Sequence, residues 1–222
     1  MESVLVDDVP AAFAALLTDR APRSLALSGG TTARQCYEAV ARGAHDWSAT
    51  TFWLGDERFV PVADADSNEG MARAVWLDHT ATGHIHSLAT AGPTPELAAR
   101  HYEEQLRAAP VIDIVHLGLG PDGHTASLFP GALSLGEADR WVIVAGDAQH
   151  PHPRLTFTFP ALAAARQIVV TVAGVEKHEA FARVKAGDPD LPAARLVTDP
   201  ILSERTVWLV DHAAAGSPDI PE

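Results

Sequence analysis

The sequence predicts an α/β fold, an open and mainly parallel sheet flanked by helices on both faces, with a small antiparallel edge. Three observations carry that expectation. Short apolar runs of strand length alternate with segments of helical period along almost the whole chain, the pattern of strand–helix–strand units. Several of those runs end in glycine-rich turns that lead straight into the next helical pattern. One run, Leu155–Phe159 (LTFTF), alternates apolar and polar residues strictly. Such alternation predicts a strand with one exposed face, at an edge or in antiparallel pairing.

The elements follow in chain order. Val4–Val6 opens the sheet and Val9–Arg20 is the first helix. The strand Ser24–Leu27 leads into a helix at Thr31–Arg42, and the strand Thr51–Leu54 precedes a charged loop and a helix at Asn68–Leu77. Pro95–Ala108 has helical spacing, with Leu97, Tyr102 and Leu106 set against Glu103, Glu104 and Arg107. Ile112–Leu117, Trp141–Val144 and Leu155–Phe159 are strands. Ile168–Val172 leads into a helix at Val175–Ala186, a short helical stretch is expected at Pro192–Leu196, and Thr206–Val210 is the last strand. A single domain over residues 1–211 accounts for all of these. The remainder, His212–Glu222 (HAAAGSPDIPE), reads as a flexible tail.

Composition excludes several classes. The chain has 222 residues, 47% hydrophobic and 20% charged, with a net charge of −13. That is ordinary globular composition with room for a sizeable core. The acidic excess argues against a nucleic-acid surface, which needs Lys/Arg stripes, and against binding to an anionic membrane. An anionic substrate would require the few cations to be concentrated in one place. One cysteine, Cys36, allows no intrachain disulfide, and its apolar helical setting predicts a core residue. The opening MESVLVDDVP lacks the basic, apolar character of a secretory signal, and no apolar run reaches membrane-spanning length. The expected location is the cytoplasm. The pairs His84-x-His86 and His150-x-His152 have no cysteine or nearby acid to complete a metal set, so neither metal nor cofactor is expected.

In an open parallel sheet, ligands bind where strands end and helices begin. Ser28-Gly29-Gly30-Thr31-Thr32 follows the second strand. Its glycines allow close backbone approach, and the next helix offers free N–H groups and a positive dipole end. It fits an anion site and a plain turn capped by Thr31 or Thr32 equally well. Gly55-Asp56-Glu57-Arg58 follows the third strand. Arg58 suits a bidentate clamp on a phosphate, with Asp56 and Glu57 orienting it or binding sugar hydroxyls. A solvated loop is the plain alternative.

Gly118-Leu119-Gly120-Pro121-Asp122-Gly123 matches G-x-G-x-x-G. A dinucleotide fingerprint should open a long helix, which Pro130-Gly131 cuts off, and Asp122 would repel a pyrophosphate. His124 is better read as a proton-transfer group, with Asp122 orienting it or holding a substrate hydroxyl. A capping role is the bland alternative. Ala173-Gly174-Val175-Glu176-Lys177 closes the set. The chain has only two lysines, Lys177 and Lys185, and a cation in a helix's first turn opposes the dipole. Anion binding would explain it.

The segments LALSGGTT (25–32), FWLGDERFVP (52–61), DSN (66–68), GLGPDGHTASLFPG (118–131), RLTFTFPAL (154–162) and AGVEK (173–177) resemble the 6-phosphogluconolactonase family. That family lies within a broader group that includes glucosamine-6-phosphate deaminase. The resemblance runs from about Val4 to Val210. It implies a modified Rossmann-like sheet and hydrolysis of a phosphorylated sugar lactone, with His124 as general base and acid beside Asp122. It further implies Ser28, Gly29, Gly30, Thr31, Asp56, Arg58, Asn68, Gly120, Gly123, Arg154 and Lys177 as substrate- and phosphate-binding residues. A monomer or weak homodimer is expected. The deaminases resemble Asp-Glu-Tyr where this chain has Asp56-Glu57-Arg58, and carry a Glu within the segment that here reads Thr125-Ala126-Ser127-Leu128-Phe129. Both differences favour the lactonase branch. One departure is His150-Pro151-His152-Pro153-Arg154, where the family often has Lys-Pro-Pro before the arginine. Rival expectations are an amino-sugar-phosphate isomerase or deaminase, a non-catalytic sugar-phosphate sensor, and a dinucleotide oxidoreductase.

Overall fold

A computed structural model describes residues 1–146 and 151–216. In chain order its elements are β1 (Glu2–Val6), α1 (Val9–Arg20), β2 (Ser24–Leu27), α2 (Gly30–Ala41), β3 (Thr51–Leu54), β4 (Asp56–Arg58), α3 (Asn68–Val75), α4 (Pro95–Ala108), β5 (Ile114–Gly118), β6 (Val142–Ala145), β7 (Arg154–Phe157), α5 (Phe159–Ala164), β8 (Gln167–Val172), α6 (His178–Lys185), α7 (Arg195–Thr198), α8 (Pro200–Arg205), β9 (Thr206–Asp211) and α9 (His212–Ala215). Short 3₁₀ turns sit at Leu77–His79, Leu133–Gly136, Val175–Lys177 and Pro192–Ala194.

Local chemistry sets the helices. Asp8 caps α1 by accepting from Ala11 N–H at 2.9 Å, and Pro10 occupies its first turn. The buried stripe Val9, Phe13, Leu17 repeats every four residues. Thr94 caps α4, whose buried face is Ala98, Ala99, Tyr102 and Leu106. Leu97, expected on that face, is exposed, because five residues from Tyr102 it falls off the i+3/i+4 stripe.

Six parallel strands form the main sheet in the order β1-β9-β8-β5-β2-β3. The chain moves one way from β2 to β3, then returns to place β5 on the other side of β2. This is a topological switch point, and it opens a crevice at the carboxyl ends of β2 and β5. Helices α1 and α2 pack on each other over the strands of this sheet.

A second, antiparallel sheet has the order β4-β7-β6. The Asp56-Glu57-Arg58 segment, expected as a loop, is its strand β4. Gly55 is the junction: its N–H donates to Leu27 O, and its carbonyl accepts from Phe157 N–H, both at 2.8 Å. The Leu155–Phe159 expectation also needs correction. The strand is Arg154–Phe157, it is central in its small sheet, and Leu155, Thr156 and Phe157 are all buried. Thr156 belongs inside because its hydroxyl accepts from Ser127 N–H at 3.1 Å and donates to Phe157 O at 3.0 Å. Thr158 then caps α5, which takes over Phe159. The start of the expected tail is likewise ordered. Asp211 caps α9 through Ala214 N–H at 2.7 Å, and Ala214 is buried. The rest of that stretch, and His150, lie outside the described residues.

Candidate active site

The crevice at the switch point is a cleft of about 190 Å³. The β2–α2 turn supplies one wall. Gly29 is the N-cap of α2 in extended conformation and no side chain caps the helix, so the Thr31 or Thr32 cap is not what this turn provides. The first-turn N–H groups stay available to an anion. A β-carbon on Gly29 would lie 1.9 Å from Asn68 Oδ1, so only glycine lets Asn68 close against the turn.

β4 supplies the second wall, and its three charges divide their work. Glu57 is fully buried and accepts from Asn68 N–H, Glu69 N–H and Arg58 N–H at 2.7–2.8 Å, and from Ser67 Oγ at 3.0 Å. Burial pushes its carboxyl up, and these donors offset that only in part. Glu57 therefore anchors the start of α3 and is not a sugar ligand. Asp56 faces the cleft, and its Oδ2 accepts from Ser127 Oγ at 2.8 Å. Arg58 donates to Asn68 Oδ1 at 2.7 Å and to Asp66 O at 2.9 Å, and Asn68 Nδ2 donates to Asp56 O at 2.9 Å. On the rim, His152 pairs with Asp66 at 3.2 Å.

In the β4–β7 ladder Arg58 stands directly opposite Arg154, a like-charge pairing that destabilises a sheet. The Arg154 Nε is buried without a partner, while its guanidinium lies 6.0 Å from the Phe129 ring centroid. Burial, then the nearby Arg58, holds the Arg154 guanidinium below its ordinary pKa. Two cations forced together in a cleft, one with an unused donor, describe an anion site. Lys177 lines the same cleft from beyond β8.

The loop after β5 supplies the floor. Gly120 N–H donates to His124 O at 2.8 Å, and Gly123 N–H to Gly120 O at 3.0 Å, curling the chain so that His124 meets Asp122. His124 Nδ1 is 2.6 Å from Asp122 Oδ1. Partial burial works against the Asp122 carboxylate, but the His124 charge and hydrogen bonds outweigh it and hold its pKa below the usual value. A carboxylate on Nδ1 fixes the proton there and leaves Nε2 as the basic nitrogen. No long helix follows; the loop turns back through Ala126 (φ 48°) and a Thr125–Leu128 bridge, which removes the dinucleotide reading.

Ser28, Gly29, Gly30, Thr31, Asp56, Arg58, Asn68, Gly120, His124, Arg154 and Lys177 all line the cleft. Asp122 and Gly123 do not line it. Asp122 stands behind the imidazole, and Gly123 (φ +82°) packs on Leu191 while its carbonyl accepts from Ala193 N–H at 3.0 Å. Sequence reasoning missed Ser127 and this buttress. Ser127 had a signal, since it lies within the same loop motif.

Residues 1–208 match the family model described as glucosamine-6-phosphate isomerases/6-phosphogluconolactonase, and the chain belongs to that family. Within it, the chain is 40% identical over 211 residues to a 6-phosphogluconolactonase of Synechocystis, covering 89% of this chain and 85% of the relative. It superposes on the 6-phosphogluconolactonase structure from Trypanosoma brucei with a TM-score of 0.79 and 27% identity, over 97% of each chain. A monomeric glucosamine-6-phosphate deaminase shares the fold, with a TM-score of 0.82 at 19% identity over 97% of this chain and 99% of that one.

Proposed function

We propose that this enzyme hydrolyses 6-phospho-D-glucono-1,5-lactone to 6-phospho-D-gluconate, the second step of the oxidative pentose phosphate pathway. The observation that carries the reading is one cleft holding a carboxylate-oriented histidine together with two opposed arginines. Relatives at 40% and 38% identity are 6-phosphogluconolactonases. A lactone is an activated ester, so water and a general base suffice, and no nucleophilic side chain is needed. His124 Nε2 takes a proton from the attacking water, and the imidazolium, steadied by Asp122, returns it to the departing ring oxygen. The phosphate lies against Arg58, Arg154 and Lys177, with Ser28, Gly29, Gly30 and Thr31 at the uncapped start of α2. Asp56 and Asn68 hold the sugar and Arg58 in register, and Gly120 and Gly123 shape the loop. We further propose a cytoplasmic monomer or weak homodimer. In support, no helix among the described residues is long and apolar enough to cross a membrane.

The test is turnover of freshly generated lactone, corrected for spontaneous hydrolysis. His124→Ala should lower kcat by about 10²–10⁴-fold with KM nearly unchanged. Near-normal kcat would remove His124 from the reaction. Ammonia release from glucosamine-6-phosphate should be absent, since the His124–Phe129 segment carries no Glu.

A further inference from the structure

Beneath the Ser28–Gly30 turn runs a buried polar chain that the proposed reaction does not use. Ser28 N–H donates to Tyr37 Oη at 2.8 Å. Tyr37 Oη lies 2.9 Å from His116 Nδ1, and His116 Nε2 lies 2.9 Å from Thr171 Oγ1. Thr171 also offsets part of the rise that burial gives the Cys36 thiol. Four elements are joined: the β2–α2 turn, α2, β5 and β8. Phe13 of α1 covers the imidazole with ring centroids 4.1 Å apart, and Cys36, Tyr37 and His116 have no exposed surface.

An apolar set of the same volume would fill this space without desolvating so many polar groups. A fully partnered network instead specifies one geometry. Its direction can be assigned. Tyr37 accepts from Ser28 N–H, and its own proton goes to the nearer acceptor, His116 Nδ1 at 2.9 Å against Ser28 O at 3.2 Å. The Nε2–H of His116 then donates to Thr171 Oγ1. Burial drives His116 down to a pKa of about 3, so the ring stays neutral, with one donor and one acceptor.

We propose that Tyr37 and His116 are positioning residues that hold the Ser28–Thr31 turn in its phosphate-binding shape. Tyr37 Oη accepts from the Ser28 N–H at 2.8 Å, so it fixes the peptide plane by which the chain enters the uncapped turn. His116 fixes Tyr37, and Thr171 fixes His116. The inference rests on the reading of this turn as a phosphate site.

The experiment measures competitive inhibition by inorganic phosphate together with kcat and KM for the phosphorylated lactone. Variants are Tyr37→Phe, Thr171→Val, His116→Leu and His116→Asn, each checked for folding by circular dichroism. Tyr37→Phe and His116→Leu should raise Ki and KM about five- to ten-fold, the loss of one such hydrogen bond, with kcat nearly unchanged. Thr171→Val, cutting the far end, should move both constants less and in the same direction. His116→Asn, which keeps an acceptor near the Nδ1 position, should restore most of the loss. If phosphate does not inhibit the wild-type enzyme, the phosphate reading of the turn falls, and this inference with it. If it does inhibit, and folded Tyr37→Phe or Thr171→Val keeps wild-type Ki and KM, the positioning role is overturned. A loss confined to kcat overturns it equally.

Discussion

A β-carbon placed on Gly120 would lie 2.1 Å from His124 Nδ1 and 2.6 Å from Asp122 Oδ1. The residue that looked like part of a nucleotide fingerprint is a glycine because His124 and Asp122, the pair proposed for proton transfer, occupy its side-chain space. Gly120→Ala should therefore displace the imidazole and lower kcat by at least about ten-fold, since small misplacements of a reacting group are costly. The melting temperature should change little, as the side chains in the way, His124 and Asp122, are themselves partly exposed; a variant with wild-type kcat would contradict this account. At this scale the sequence was most legible. Catalytic residue types placed just after strands stood out, and every one except Glu57, Asp122 and Gly123 lines the cleft. Glu57 was misassigned because a carboxylate in a charged triplet looks solvated until its backbone donors are known. Tyr37 and His116 gave no signal, since a single polar residue within an apolar face reads as part of the core.

The pairing of β4 with β7 sets two arginines face to face, a like-charge cost that the proposed phosphate would relieve. Arg154→Met should leave the melting temperature without phosphate unchanged or slightly higher. The phosphate-induced rise should shrink, and KM for the lactone should increase about ten- to a hundred-fold, the range expected for hydrogen bonds to a charged group. An undiminished phosphate shift in differential scanning fluorimetry would remove Arg154 from the site. The long periodic helices α1, α2 and α4 and the parallel strands were read correctly to within a few residues. Trp141–Val144 and Pro192–Leu196 were also found, but other short elements were not. Pro200–Arg205 and Phe159–Ala164 are too brief to show a period, and β4 owes its strand form to β7 rather than to its own propensity.

Across the whole molecule, acid should act through the buried His116. Its folded pKa of about 3 is below its ordinary 6.5, so the neutral ring's contribution is complete above pH 6.5 and declines as the unfolded chain takes up the proton. Between pH 7 and pH 5 this removes about 2 kcal/mol. Denaturant melts over that range should show a shallower pH dependence in His116→Leu; identical slopes would refute the assignment. Strand order was the least legible property, because periodicity identifies strands but not their neighbours. That order has a consequence for synthesis. Among the described residues β1 is paired only with β9, which emerges about 200 residues later. β1 thus waits for a strand far along the sequence before it can pair. Chain closure is a late event of high contact order, and pulse-labelled hydrogen exchange during refolding should find β1 protected after β2, β3 and β5. On that order of events the strands that frame the cleft are in place before β1 is pinned to β9.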